Sequence, residues 1–276
     1  MKRIAAVGCL LFLFALSPML RAGKVIKVTE KDLVEGKVEY ITIYLNKNQV
    51  RVDTKGEDQN FSAIYSATDD RFVMINHSRK AYAVLTREDV DQMARQMKST
   101  MDQVMAQMQE QLKNLPPEQR QMAEEMMKKQ MPGQNAEEEA ASKKEYKKIA
   151  SGVLVGQWKT AHYEVYQDDV KEEEVWTVSP DKVGIQEDDF SVFMKMQKFF
   201  EAMVPAGERG KASQGFLSGE EFKTYGLPIK TVSFDRGKAT SESVVQSIED
   251  RSLTNALFQP PVGYKKTSGF MELMMQ

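Results

Sequence analysis

The feature that most constrains this chain is the alternation of side-chain character in short runs broken by polar turns. Val38, Tyr40, Thr42 and Tyr44 alternate with Glu39, Ile41 and Ile43. After the turn cluster Asn46, Lys47 and Asn48, Val50 and Val52 alternate with Arg51 and Asp53. A two-residue period sends successive side chains to opposite faces of a strand, and two such runs across a short polar turn predict a hairpin. Runs at 61–66, 71–76 and 81–85 continue as a meander, with turns at 68–70 and 77–79. The texture returns at 158–167 and 171–178 around Asp168 and Asp169, and at 228–234 and 239–248 around Asp235, Arg236 and Gly237. Short antiparallel strands at this spacing predict a curved sheet or an open barrel.

Between the two strand groups the period changes. Thr86 precedes Glu88 and Asp89, a cap followed by acids in a first helical turn. Met93, Met97, Met101, Met105 and Met108 follow at steps of four and three, one stripe on one helix. Pro116 and Pro117 end it, and residues 118–130, with Met122, Met126 and Met127, predict the second arm of a helical hairpin. The segment 134–148 is Glu, Ala, Lys and Ser with little apolar content and reads as a solvated linker. Residues 188–204 predict an amphipathic helix bearing Phe193, Phe199 and Phe200, with Asp188 or Asp189 as its cap. The Gly-rich stretch 206–223 reads as a mobile loop, and 257–265 as an apolar clasp.

Lys2 and Arg3, an apolar run from 4 to 16, and the small pair Ala22 and Gly23 have the order of a secretory signal peptide. The run is shorter than the ~20 residues that span a bilayer, so cleavage near Ala22 is expected rather than an anchor. Cys9 sits inside the apolar run, with Leu10 to Leu16 still to follow, which argues against lipidation there. Removing 1–22 leaves a chain without cysteine, as suits an oxidising envelope compartment. Periplasm, outer-membrane association and secretion share this signal.

Composition narrows the chemistry. Lys and Arg number 38 against 40 Asp and Glu, so no basic surplus points to nucleic acid. His77 and His162 lack a second ligand at metal spacing, and no G-x-S-x-G elbow, G-x-G-x-x-G fingerprint or P-loop is present. No catalytic residue, metal or cofactor is expected. Thioether sulfur suits Cu(I), but the methionines recur at helical steps with no histidine interleaved. An adaptable apolar surface is the sharper expectation, set against simple packing of the Met side on the sheet.

The segments Ile64-Tyr65 and 70–75, the hairpin residues 115–120 and 126–133, Gly156-Gln157-Trp158, 163–166, 190–200 and 258–264 resemble a bacterial envelope family of unknown function. That resemblance implies a fold similar to the lipoprotein carriers LolA and LolB, an antiparallel half-barrel wrapped around helices, often with an apolar cavity. It brings no catalytic residues. The expected architecture is therefore α+β. A signal peptide occupies 1–22, a strand meander 23–85 and an inserted Met-rich hairpin 86–133. The linker 134–148, a second half 149–266 and a tail 267–276 follow. The expected function is binding of lipid or an acylated peptide, with Met93, Met97, Met101, Met105, Met108, Phe193, Phe199 and Phe200 lining the apolar side. The alternative is an interaction protein whose hairpin docks a protein partner or makes a dimer. Trp158, Tyr163 and Trp176 are expected in the sheet core.

Overall fold

The computed structural model describes residues 20–57, 60–113, 116, 144–201 and 219–274. The alternating runs become β1 (Leu20–Asp32), β2 (Val38–Leu45), β3 (Gln49–Lys55), β4 (Asn60–Ser66), β5 (Arg71–Asn76) and β6 (Ala81–Thr86), each antiparallel to the next. A second meander comprises β7 (Glu145–Val155), β8 (Trp158–Gln167), β9 (Val170–Val178), β10 (Leu227–Asp235) and β11 (Lys238–Thr254). The long strand β11 pairs with β1 from Leu20 opposite Thr254 to Asp32 opposite Ser241. That pairing fuses the meanders, with the short β12 (Lys265–Lys266), into one sheet of twelve strands among the described residues, ordered β12-β6-β5-β4-β3-β2-β1-β11-β10-β9-β8-β7.

This overturns the half-barrel. The sheet is open, with β7 at one edge and β12 (Lys265–Lys266) at the other, and it is mixed because β12 runs parallel to β6. The local patterns specify the hairpins, but the join between β1 and β11 involves opposite ends of the chain. That join sets the meanders side by side instead of curling one sheet around helices. Among the described residues α-helices are few: α1 (Arg87–Lys113), α2 (Glu187–Glu201), α3 (Gly219–Tyr225) and α4 (Phe270–Met274). Of the expected helical hairpin only the first arm, α1, is described; the second arm lies outside the described residues.

Three further expectations change. The linker ends early, because Glu145 already opens β7, where Tyr146 turns inward among exposed lysines. Charged residues on that strand suit its place at the sheet edge, where they discourage pairing with another chain. Residues 219–223 of the expected loop are helical, and buried Phe222 stacks on Phe190 at 4.0 Å. The tail is docked: Leu273 of α4 is fully buried against Ala81 and Ala83.

Both faces of the sheet carry a core. Leu45, Val50, Tyr65, Phe72 and Leu85 lie directly opposite one another across five strands. Val192, Met196 and Phe199 of α2 cover that row. Each such buried side chain contributes about 1.5–3 kcal/mol. Farther along this face, Ile26, Val178, Ile229 and Val245 pack with Phe222 of α3. On the opposite face Ile64, Val73 and Ile75 are covered by Phe258, in the 3-10 turn Asn255–Phe258. Tyr163 and Trp176 do not share a core. Val175 is the partner of Tyr163 and His162 that of Trp176, so the two rings lie on opposite faces, and Trp176 stacks on His162 at 4.2 Å.

Candidate functional site

The methionine stripe begins at a well-anchored root. Thr86 and Asp89 cap α1 reciprocally: the Thr86 amide and hydroxyl donate to Asp89 Oδ2 at 2.8 and 2.7 Å, and the Asp89 amide donates to Thr86 Oγ1 at 3.2 Å. These bonds hold the Asp89 carboxyl below its usual range. Val90 is buried in the α2 core, and Arg87 bonds to Asp70 and to the Phe199 carbonyl. Asp70 accepts as well from the Tyr65 hydroxyl at 3.0 Å.

Beyond that first turn the helix leaves the sheet. Met93, Met97, Met101 and Met108 are 41%, 44%, 39% and 37% exposed, and Val104 beside them 49%, so the stripe is not packed on the body among the described residues. Met105 is half-buried. At about 1.5 Å per residue the helix is about 40 Å long. Long apolar side chains left open in a row mark a contact surface more often than scattered ones do.

The structure divides the eight residues expected to form one apolar lining. Phe199 is fully buried, 5.6 Å from the Tyr65 ring, and Phe200 packs edge-on to Phe72 at 4.8 Å. Phe193 is half-buried against the same core. The phenylalanines are therefore core on α2, and the methionines form a separate surface on α1. A cavity of about 450 Å³ does exist near α3, but its lining is rich in lysine and hydroxyl side chains rather than apolar ones.

Sequence reasoning missed a polar network on the face covered by Phe258. Arg51 Nε and the Ser62 hydroxyl both donate to Asp53 Oδ1 at 2.6 Å. Ser62 Oγ lies 2.6 Å from His77 Nε2 and 3.0 Å from Arg51 Nη2, and His77 Nδ1 lies 3.0 Å from the Tyr264 hydroxyl. One proton arrangement satisfies every atom: Nε2–H donates to Ser62, and the Tyr264 hydroxyl donates to Nδ1. Burial, then the Arg51 charge, push the His77 pKa down, with Asp53 opposing. Ser62 is fully buried and already donates to a carboxylate, so it is not a nucleophile held for attack. Arg51 Nη1 also donates to the Leu257 carbonyl at 2.7 Å, so the network ties the C-terminal segment onto the sheet. The Arg51 and Asp53 spacing was legible as one strand face; their meeting with Ser62 required the register of β3 on β4.

Among the described residues, no cluster of three or more His, Cys, Asp or Glu is placed to hold a metal, and no helix is long and apolar enough to cross a membrane. No family model and no curated protein matches the chain. Among solved structures it is similar to an uncharacterized conserved protein from Thermus thermophilus, at 8% identity and a TM-score of 0.43 over 89% of each chain. It is also similar to PNGF-II, at 9% identity and a TM-score of 0.35, where 92% of this chain spans 32% of the other. At these TM-scores neither likeness carries an argument about this chain.

Proposed function

We propose that this chain is a non-enzymatic binding protein of the bacterial envelope, which presents the methionine face of α1 to an apolar segment of a partner protein. The exposed row Met93, Met97, Met101 and Met108, on a helix anchored through its first turn, carries this reading. Methionine is unbranched and polarizable, so such a row adapts to a partner's relief without losing contact. Export rests on the composition of residues 1–22. Carriage of lipid inside the sheet is less well supported, because α2 and the 255–264 segment already fill the apolar faces. A lipid or acylated peptide would instead lie along the stripe.

The test is photo-crosslinking in the native cell, with benzoylphenylalanine at Met97 or Met101 and at exposed Val170 as the control. A discrete protein adduct from the stripe and none from Val170 is the expected result. A lipid adduct would move the assignment to an apolar small ligand, and equal or absent labelling at the three positions would end the proposal.

A further inference from the structure

The methionines of this chain stand in two different environments. Met93, Met97, Met101 and Met108 of α1 are each more than a third exposed, whereas Met196 of α2 is 7% exposed and packs in the core with Phe199. Met74 and Met105 are half-buried. A thioether is oxidised when the oxidant reaches the sulfur lone pair, so burial protects Met196 and exposure opens the row. The one cysteine, Cys9, lies within residues 1–22, so no thiol competes for oxidant once that segment is removed.

Oxidation of the row spares the fold and changes the surface. The first turn of α1 is held by Thr86, Arg87, Asp89 and Val90, side chains without a thioether. Oxygen added farther along the helix therefore leaves the anchor and the core intact. A sulfoxide is polar where the thioether was apolar. With the four row positions oxidised, only Val104 remains of the exposed large apolar side chains of α1 among the described residues. A helix that is polar all round has lost the stripe through which it could dock. Leucine at these positions would offer similar apolar area without this reactivity.

We infer that Met93, Met97, Met101 and Met108 form a reversible oxidation site, at which a peroxide turns the exposed face of α1 from apolar to polar and releases what is docked there. The release rests on the function proposed above; the oxidation site does not. At each position the sulfur lone pair attacks one peroxide oxygen, an S–O bond forms and the O–O bond breaks. Sulfur gives up two electrons, the peroxide is reduced, and the departing hydroxide takes the proton of the transferred OH and leaves as water. A dithiol, acting through a methionine sulfoxide reductase, returns the thioether and yields a disulfide and water.

The experiment treats the chain without residues 1–22 with dilute hydrogen peroxide and follows sulfoxide at each methionine by peptide mass spectrometry. The four row positions should oxidise about tenfold faster than Met196, with circular dichroism unchanged. The oxidised protein should elute earlier from a phenyl matrix, and sulfoxide reductases of both stereospecificities with dithiothreitol should restore its retention. The variant Met93→Leu/Met97→Leu/Met101→Leu/Met108→Leu should lose most of that shift. Equal rates at Met196 and the row, or an equal shift in the variant, overturn the oxidation site. Benzoylphenylalanine at Val104 then reads the docked partner in cells. A protein adduct that a peroxide pulse abolishes in the wild type, and not in the leucine variant, is the expected result. An adduct that persists on the oxidised wild type overturns the release and leaves docking intact. No adduct before peroxide ends the docking reading and the release with it, while the oxidation rates still decide the site.

Discussion

The Arg87 guanidinium stands 4.7 Å over the centre of the Phe199 ring and donates to the Phe199 carbonyl at 3.2 Å. Its Nε donates to Asp70 at 2.8 Å, so one side chain at the start of α1 grips both the turn after β4 and the end of α2. The exposed helix is thus rooted in the core that α2 covers, and its direction is set where Phe199 is fully buried.

Replacing Arg87 by Ala is expected to cost about 1–2 kcal/mol, most of it from the carbonyl bond and the ring contact. The ion pair is partly exposed, and so contributes less than about 1 kcal/mol. Urea unfolding measures the loss, and hydrogen exchange should show faster opening in the first turns of α1. An unchanged midpoint would remove Arg87 from the anchoring role.

Met97→Gln and Met101→Gln, singly or together, should leave stability within about 0.5 kcal/mol of wild type, as for exposed positions. Phe199→Ala should cost about 3–5 kcal/mol, because it empties a closed core position. Thermal and urea melts decide this. A loss of more than about 2 kcal/mol at the methionines would mean that they are buried packing, and it would remove the support for the docking arm.

Stability is expected to fall on mild acidification because of His77. Its folded pKa is depressed, so below the ordinary imidazole value of about 6.5 the unfolded chain takes the proton first. The contribution is complete above that value and declines as pH drops toward the lowered folded pKa. His77→Gln should flatten the slope of urea midpoints in that window. Asp70 and Asp89, both depressed in the folded chain, act lower. Their stabilisation is present above the ordinary aspartate value and is lost as pH falls through their lowered folded values. A slope that the His77 substitution leaves intact would exclude this origin.

Gly226→Ala should destabilise by about 2 kcal/mol or more, since the left-handed conformation and the Val178 carbonyl both oppose a Cβ. Gly237→Ala provides the contrast, because φ +77° strains it but nothing lies within 4 Å of the added carbon. Chemical denaturation should rank the first above the second. The reverse order would show that backbone strain, not the seat of α3 on β9, governs this end of the sheet.

Short-range periodicity encodes the local elements of this chain. Tyr40 to Tyr44 with Val50 and Val52 had to form a hairpin, Thr86 had to cap a helix, and Met93 to Met108 had to fall on one side of it. How these pieces share space depends on long-range pairing. Nothing local in Val25 to Ile26 or Ile248 states that β1 pairs with β11, and that single join makes an open sheet of twelve strands in place of a half-barrel. Nor does spacing reveal that Phe199 is sealed while Met97 is open, that Phe222 closes a core, or that Ser62 meets His77. Those outcomes depend on register and on which faces come together. Hydrophobic burial is non-directional and rewards any arrangement that removes enough apolar area from water, so the pattern of one segment does not name its partner.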